Sequence, residues 1–424
     1  MHAGAAGAVD RELPAHVYDL AGYGDMIADD MRTHAYARAL RAAITPGATV
    51  LDIGTGTGLF ALLACRFGAR HVYAVEPNDA IALAEEIARA NGLGDRITFL
   101  QRTSDRIRLP EPVDVIVSDI RGILPMCGSS LRSIIDARGR WLAPGGTLIP
   151  ARDRLMAAPI DAPRLYHRHV GPWEQSPHGL DMSAARRLVT NAWYRARAHP
   201  DELLAAPSCW ATLDYTTLES PAIRGMTDWV AARAGTLFGA SVWFESELGA
   251  GAEISNAPDR PELVYGAAFF PLSEPVTIGA GDRIEVSFRA DPVDGDYVWS
   301  WTTTIAARQN PESPTARFEQ STFFSMPMAR AELRKRAADH RPVLTEDGRM
   351  ALLVLEAMAE GLALEDIAER LHTRFPSRFE DWHAAFRHAC AFSGRYGEAP
   401  VIEGDALEPS SGDGAPMLSR LSNE

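Results

Sequence analysis

The sequence predicts an α/β fold: a doubly wound, mostly parallel sheet, followed by an antiparallel β-barrel-like domain and a C-terminal helical segment. Between residues 48 and 150, short β-rich runs alternate with amphipathic helical patterns, as in a parallel sheet covered by helices on both faces. From 151 to about 305, alternating runs are separated by Gly, Pro and Asp clusters, which favours antiparallel strands. Residues 327–396 have a helical pattern throughout. A length of 424 residues likewise implies more than one domain.

Gly and Pro residues mark where most of these elements end. The parallel strands are predicted at Ala48–Ile53, His71–Val75, Ile97–Leu100, Val113–Val117 and from Thr147, with helices at Leu59–Phe67, Asp79–Ala90 and Ser129–Leu142. The clearest antiparallel strands are Ser241–Glu245, Glu262–Phe270, Arg283–Arg289 and Tyr297–Thr304. The C-terminal helices are Arg349–Glu360, Leu362–Phe375 and Phe379–Tyr396.

A helix is also expected at 27–44, before Thr45-Pro-Gly47. The predicted parts are N-terminal helices at 1–47, a sheet domain at 48–150, a β-barrel-like domain at 151–326 with a helical excursion near 182–200, a helical domain at 327–396, and a disordered acidic tail at 397–424.

Composition and charge exclude several classes of function. The chain has 42 basic and 56 acidic residues, a net charge of −14, which opposes binding to nucleic-acid phosphates. Four widely spaced cysteines without a C-x-x-C pair suggest neither a metal site nor a disulfide framework. No apolar run approaches the roughly 20 residues of a membrane helix, and the N-terminus lacks a signal-peptide pattern. We therefore expect a cytoplasmic protein without a nucleic-acid, membrane or metal partner.

A glycine-rich turn after the first strand is the main candidate for a binding site. Gly54, Gly56 and Gly58 follow Asp52, a spacing that differs from the G-x-G-x-x-G pattern of dinucleotide sites. Glu76 ends the next strand, where a carboxylate can accept hydrogen bonds from two ribose hydroxyls. Together these residues match the S-adenosylmethionine site of class I methyltransferases. The alternative is a glycine loop required only for packing the strand against its helix.

Further motifs extend this match to one family. They are Tyr18, Tyr23, Met26, Asp29, Arg32-Thr33 and Tyr36, then Gly68–Val72, Val75-Glu76, Leu109-Pro110, Val113–Gly122 and Trp141–Pro150. In order and spacing the chain resembles the protein arginine methyltransferases, strongly over residues 18–150 and more weakly over 151–290. The resemblance implies S-adenosylmethionine as cofactor and a protein, peptide or small-molecule methyl acceptor. It also implies a homodimer formed by a helical arm, which would be the excursion near 182–200.

The resemblance assigns further cofactor contacts. Met26 and Arg32 would lie on a helix folding over the cofactor, with Arg32 pairing to the methionine carboxylate. Asp105, beside Ser104, would accept from the adenine amino group. Two alternatives stay open: Arg32 as a solvated helix residue, and Asp105 as part of a simple turn.

The acceptor site departs from the family pattern. The first of two expected carboxylates is Asp119, and the second is replaced by Gly128. Arg121 stands at a normally apolar position, and Val264 and Tyr265 replace the His and Trp of a Thr-His-Trp loop. Asp119 is predicted to orient the acceptor nitrogen or take its proton, with pairing to Arg121 alone as the alternative.

These departures predict an acceptor site made more positive by two charge units, which would disfavour a guanidinium. They also leave open a second class of function, a S-adenosylmethionine-binding scaffold that has lost acceptor chemistry. A third possibility is methylation of a non-arginine small molecule or natural product.

Overall fold

The computed structural model describes residues 20–175 and 177–397, which form two compact units divided between Pro327 and Met328. The predicted tail from residue 398 onward, and residues 1–19 with the motif residue Tyr18, lie outside the described residues. The two units are described separately.

The first unit begins with a five-stranded parallel sheet, which confirms the predicted fold class. Its strands are Thr49–Ile53 (β1), His71–Val75 (β2), Ile97–Leu100 (β3), Val113–Ser118 (β4) and Leu142–Ile149 (β5), in the order β3-β2-β1-β4-β5. All four neighbouring pairs are parallel. Every residue of β1 is buried, as expected for a strand covered on both faces. Glu76 and Asp119 follow the two neighbours of β1, so both lie at the carboxyl edge of the sheet.

Five helices accompany this sheet: Leu20–Ala28 (α1), Asp30–Ala43 (α2), Leu59–Arg66 (α3), Ala80–Ala90 (α4) and Ser130–Trp141 (α5). The single helix predicted at 27–44 is therefore wrong at its start. Asp29 separates α1 from α2, and its side chain accepts a hydrogen bond from the Arg32 backbone N–H at 3.0 Å. Because this bond caps the free N–H groups of α2, the helix begins at Asp30 rather than continuing α1.

Two antiparallel sheets follow in the same unit, which confirms the predicted β-barrel-like architecture. Their strands are Arg152–Ile160 (β6), Tyr194–Arg195 (β7), Ser208–Asp214 (β8), Ile223–Val230 (β9), Gly235–Gly249 (β10), Ala252–Ser255 (β11), Ala268–Ile278 (β12), Arg283–Val293 (β13), Asp296–Ala306 (β14) and Pro314–Ser321 (β15). One sheet has the order β7-β12-β10-β6-β8 with β11 beside β10, and the other has the order β15-β14-β13-β9. Trp299 and Trp301 are buried in the shared core, with Trp301 Nε1 donating to Gln320, so both tryptophans serve packing.

Two sequence predictions in this region are wrong in detail. The strand predicted at Glu262–Phe270 begins only at Ala268, because residues 261–267 form a loop that includes Gly266 at a φ of 71°. The helical excursion begins earlier than 182–200 and consists of Pro163–His169 (α6), Gly171–Glu174 (α7) and Arg186–Val189 (α8). Pro163 occupies the first turn of α6, a position that proline favours, and it marks the true start of the helical excursion.

The second unit is helical, with Arg330–Lys335 (α9), Glu346–Ala359 (α10), Leu364–Arg374 (α11) and Trp382–Tyr396 (α12). Helices α10 and α12 begin at the side-chain caps Thr345 and Asp381. Its own apolar core is built from α10, α11 and α12 and includes Met350, Val354, Ile367 and Leu371. Among the described residues of the chain, no helix has the length and apolar character needed to cross a lipid bilayer.

Candidate active site

A cavity of about 560 Å³ lies at the carboxyl edge of the parallel sheet. Its lining includes Gly54 after β1, Glu76 after β2, and Asp119 and Arg121 after β4. Four of the predicted cofactor residues, Met26, Gly54, Glu76 and Ser104, therefore line the same cavity as Asp119 and Arg121, whereas Arg32, Asp52, Gly56, Gly58 and Asp105 are not among its lining residues.

The glycine turn between β1 and α3 makes close approaches that only glycine permits. Gly54 has a φ of 73°, and a Cβ there would lie 2.2 Å from Cγ2 of Ile120. Gly56 has a φ of 53°, and a Cβ there would lie 2.5 Å from the Tyr23 ring. Gly58, also at positive φ, precedes the first residue of α3. These glycines are therefore required by packing against neighbouring side chains and by positive φ, and Gly54 also lines the cavity.

Two carboxylates support this turn. Glu76 accepts hydrogen bonds from the backbone N–H groups of Gly56 and Asn78, each at 3.0 Å, and burial raises its pKa. Asp52 accepts from the Thr55 hydroxyl at 2.7 Å, whereas its Oδ1 is buried without a hydrogen-bond partner among the described residues. Burial raises the pKa of Asp52 to about 7, against the opposing hydrogen bond from Thr55. Glu76 lines the cavity, while Asp52 lies behind the glycine turn.

The remaining predicted cofactor residues divide into two groups. Met26 on α1 and Ser104 after β3 are buried and line the cavity. Asp105 is exposed and is not among the residues that line the cavity, so its contact with the adenine amino group stays a prediction. A hydrogen bond with Thr103 lowers the pKa of Asp105, in agreement with the alternative of a local turn.

Asp119 is held mainly by Arg32, which sequence reasoning had assigned to the cofactor. Arg32 Nε and Nη2 lie 2.6 and 2.5 Å from Asp119 Oδ2, and Arg32 Nη1 donates to the Met26 carbonyl at 2.9 Å. Tyr36 and Tyr265 hydroxyls lie 3.1 and 2.8 Å from Asp119 Oδ1. Burial opposes the charged form of Arg32, but the attraction of Asp119 outweighs it and raises the Arg32 pKa. Asp119 therefore pairs with Arg32 as well as with Arg121, and not with Arg121 alone.

Arg121 has a buried counter-charge that the sequence prediction did not include. Its Nη1 donates to Asp153 Oδ1 at 3.1 Å, and its Nε lies 3.5 Å from Asp119 Oδ1. Asp153 is fully buried on β6, and its other oxygen accepts from the Tyr215 hydroxyl at 2.5 Å. The Arg121 guanidinium also lies over the Phe244 ring, 4.7 Å from its centre. The expected gain of uncompensated positive charge at Arg121 is thus wrong, because Asp153 balances it.

Together these residues form a buried chain of alternating charge, which we call the charge ladder: Arg32, Asp119, Arg121 and Asp153. It connects α2, the loop after β4 and strand β6, and its formal charges sum to zero. Burial and the nearby Asp119 carboxylate raise the pKa of Tyr265 well above its usual range, so Tyr265 stays a neutral donor to the ladder. A closed ladder of this kind offers no excess negative charge to a cation.

Several residues of this site escaped sequence reasoning. Asp153, Tyr215 and Phe244 were not identified, and Tyr36 and Tyr265 were noted without a role. One available signal was the period of β6: Asp153 shares its face with the buried Leu155 and Ala157, so strand alternation could have indicated that this acid is buried. Tyr215 carries no comparable signal, because it follows β8 in a loop.

The second expected carboxylate is absent from the cavity lining. Gly128 lines the cavity at a φ of 51°, between Cys127 and Ser129. The acids in the described lining are Glu76 and Asp119. Within residues 20–175 and 177–397, no three His, Cys, Asp or Glu side chains come together as metal ligands would.

Comparisons with known proteins place this geometry in context. The family "Ribosomal protein L11 methyltransferase" matches residues 32–150. The chain is 31% identical to "Protein arginine N-methyltransferase 6" of Danio rerio, over 65% of this chain and 85% of that protein. It is 28% identical to "Probable protein arginine N-methyltransferase 6" of Arabidopsis thaliana, over 73% of this chain and 69% of that one.

Solved structures give the same fold. The Trypanosoma brucei PRMT1 enzyme-prozyme heterotetrameric complex with AdoHcy aligns with a TM-score of 0.65 at 22% identity, over 70% of this chain and 97% of that one. Arabidopsis thaliana protein arginine methyltransferase 10 aligns with a TM-score of 0.63 at 23% identity, over 72% of this chain and 98% of that one. At these identities the likeness concerns the fold.

Proposed function

The chain belongs to the protein arginine N-methyltransferase family, and we propose that it transfers a methyl group from S-adenosylmethionine to a nitrogen of a protein, peptide or amino-acid-like acceptor. One observation carries the proposal: a single cavity is lined by the glycine turn with Glu76 and by Asp119 with Arg121. A cofactor and an acceptor bound there would be neighbours, as methyl transfer requires.

The residues present fit the cofactor. Gly54 and Glu76 both line the cavity, so backbone without a side chain and a carboxylate are available to a ligand there. We assign cofactor binding to Met26, Gly54, Gly56, Gly58, Glu76 and Ser104, with Asp52 supporting the turn from behind. When bound, the cofactor supplies a sulfonium methyl group, a strong electrophile that needs positioning and exclusion of water. Contact of Arg32 with the cofactor's carboxylate stays a prediction, since Asp119 and Met26 already engage its guanidinium.

The acceptor side is assigned to Asp119 and Arg121. Arg32, Tyr36 and Tyr265 fix the Asp119 carboxylate through short hydrogen bonds. Asp119 then helps set the position of the acceptor nitrogen, and Arg121 lines the cavity beside Asp119. The relatives' names support a protein or peptide as the acceptor.

Assembly and location are part of the same proposal. We propose a homodimer formed through the helical segment α6–α8, and a cytoplasmic location. A monomeric mass at micromolar concentrations, measured by light scattering with activity intact, would argue against the dimer.

The decisive experiment incubates the purified chain with S-adenosylmethionine, candidate peptides and cell extract, and follows methyl incorporation by mass spectrometry. Transfer to a nitrogen supports the proposal. The engaged Asp119 and the glycine at 128 favour one competing function, a S-adenosylmethionine-binding scaffold. Cofactor binding by calorimetry without transfer to any acceptor would identify the scaffold.

A further inference from the structure

We propose that Asn256 is a positioning residue for methyl transfer, because its side-chain amide joins three separate segments around Asp119 and Arg121. These segments are the loop after β4, strand β10 and the loop at 261–267. Asn256 does not belong to the described lining of the cavity, so it acts through residues that do. The inference rests on the proposed function and deepens it on the side assigned to the acceptor.

The amide of Asn256 makes three hydrogen bonds, all to backbone groups. Asn256 directly follows β11 and is 2% exposed. Its Oδ1 accepts from the Phe244 N–H at 2.8 Å, and its Nδ2 donates to the Ile123 carbonyl at 3.3 Å and to the Gly266 carbonyl. Both N–H donors and the acceptor oxygen of the amide are therefore used. Neither an aspartate nor a leucine, which have nearly the same shape, supplies this combination of donors and acceptor.

The bond to Ile123 holds the loop after β4 close to its functional side chains. Asp119, Arg121 and Ile123 alternate along this loop, and the first two line the cavity. The carbonyl of Ile123 accepts a donor from a residue of the antiparallel region, 133 positions further along the chain. The position of this loop therefore depends on Asn256 as well as on the parallel sheet.

The bond to Phe244 fixes an aromatic ring that contacts Arg121. The backbone N–H of Asn256 also donates to the Phe244 carbonyl at 3.4 Å, so the two residues are joined twice. The Phe244 ring lies 4.7 Å from the Arg121 guanidinium and 5.3 Å from the centre of the Tyr265 ring, edge to face. Asn256 thus sets the surface on which both side chains pack.

The bond to Gly266 anchors one side of Tyr265. On the other side, the Val264 N–H donates to Asp29 Oδ2 at 2.9 Å. The Tyr265 hydroxyl lies 2.8 Å from Asp119 Oδ1. A buried polar group with all of its hydrogen bonds satisfied makes its surroundings rigid. Loss of the Asn256 amide should therefore loosen Tyr265 and the Asp119 carboxylate together.

Methyl transfer is sensitive to such loosening. The reacting atoms must be held about 3–3.5 Å apart and in line, and a misplacement of about 1 Å can cost about 100-fold in rate. The glycine turn and Glu76 are held by hydrogen bonds within their own region of the parallel sheet. Loss of the Asn256 amide should therefore lower transfer without weakening cofactor binding.

The test compares two matched variants, Asn256→Asp and Gln320→Glu. Gln320 on β15 is 4% exposed and has the same pattern of hydrogen bonds in another part of the antiparallel region. Its Oε1 accepts from Trp301 Nε1 at 3.1 Å, and its Nε2 donates to the carbonyls of Thr190 and Pro271. Each variant keeps the shape of the side chain and removes two donors from a buried site.

Activity is measured on an arginine-containing peptide, and cofactor affinity by calorimetry with S-adenosylhomocysteine. We expect Asn256→Asp to lower kcat/KM for the peptide by about 10- to 100-fold and to change the Kd of S-adenosylhomocysteine by less than about two-fold. Gln320→Glu should lower the melting temperature by a similar amount. At a temperature where both variants are folded, it should keep kcat/KM within about two-fold of wild type.

Hydrogen exchange followed by mass spectrometry gives a readout that needs no acceptor. Asn256→Asp should raise amide exchange in segments 119–128 and 261–267 and leave the glycine turn at 52–58 unchanged. Gln320→Glu should leave all three segments unchanged. If Asn256→Asp does not fold, Asn256→Ser, which keeps a small polar group, replaces it in the same measurements.

Equal losses of kcat/KM in the Asn256 and Gln320 variants would overturn the inference and leave methyl transfer intact. The same holds for unchanged exchange at 119–128 and 261–267, or for a parallel loss of cofactor affinity. If the wild-type protein transfers no methyl group to any peptide or extract, the proposed function fails. Hydrogen exchange would then still decide whether Asn256 holds the two loops in place.

Discussion

The two sides of the cavity differ in how they are built. The side that we assign to the cofactor is formed by one strand-turn-helix segment, β1 to α3, together with Glu76 at the end of the adjacent β2. The side that we assign to the acceptor depends on the charge ladder, whose members Arg32, Asp119 and Asp153 come from α2, the loop after β4 and strand β6. Asp119 and its hydrogen-bond partner Tyr265 are 146 residues apart in the chain.

The residue types in the glycine turn are constrained by local backbone geometry, whereas the charge ladder depends on contacts between residues that are distant in the chain. The glycine turn must bring backbone close to a ligand, so its residue types are fixed by sterics. On the acceptor side, the charge of Arg121 is balanced by Asp153, so two residues 32 positions apart in the chain keep the charge ladder neutral.

The largest expected effect comes from breaking the charge ladder at its buried end. Asp153→Asn leaves the buried Arg121 with only the Asp119 carboxylate, which lies 3.5 Å from its Nε and is shared with Arg32, and should lower the free energy of unfolding by about 3–5 kcal/mol. Urea denaturation followed by circular dichroism measures this. Cofactor affinity of the fraction that stays folded should change little, since Asp153 does not line the cavity.

The matched control removes both charges. Arg121→Met combined with Asp153→Leu replaces the pair by apolar side chains and should recover most of the lost stability. If the single Asp153→Asn variant were as stable as wild type, the Arg121–Asp153 pair would not contribute to the stability of the protein.

A second prediction concerns the pH dependence contributed by Asp52. Its folded-state pKa of about 7 lies above the unfolded value near 3.9. Between these values the folded chain holds a proton that the unfolded chain has lost, so rising pH lowers stability across this window. Asn cannot titrate, so the Asp52→Asn variant has no such pH dependence at this site. Its free energy of unfolding relative to wild type should rise from about pH 4 to about pH 7 by as much as about 4 kcal/mol and then level off.

Thermal or urea unfolding of both proteins across that pH range measures the difference. A stability difference that stays constant with pH would contradict a protonated Asp52 in the folded state. Asp114→Asn, an exposed acid on β4 that binds the Thr49 backbone N–H, is a useful comparison at another carboxylate.

The smallest effect compares two acids that sequence reasoning treated alike. Glu76→Ala should weaken S-adenosylmethionine binding by about 1–3 kcal/mol, because Glu76 lines the cavity and supports the Gly56 backbone. Asp105→Ala should leave the affinity nearly unchanged, because Asp105 is exposed outside the cavity. Titration calorimetry measures both. Equal losses would restore Asp105 to the cofactor site, and no loss in either variant would argue against the assigned cofactor residues.

The parallel sheet, its glycine turn and the placement of Glu76 and Asp119 at one edge could all be predicted from the sequence. These features depend on short-range patterns: buried β-rich runs, a turn only glycine can make, and the rule that parallel strands end on the same side. The boundary between α1 and α2 was missed because a capping residue, Asp29, interrupts an otherwise continuous helical period.

The charge balance around Asp119 and Arg121 could be seen only in the tertiary structure. A count of charges along the loop after β4 gave Arg121 as an added cation, and only the fold brings Asp153 and Tyr215 against it. Likewise, Arg32 and Asp119 lie 87 residues apart, and nothing local indicates that they pair. The physical reason is that electrostatic balance depends on distance in space and on burial, and neither is encoded in the spacing of residues along the chain.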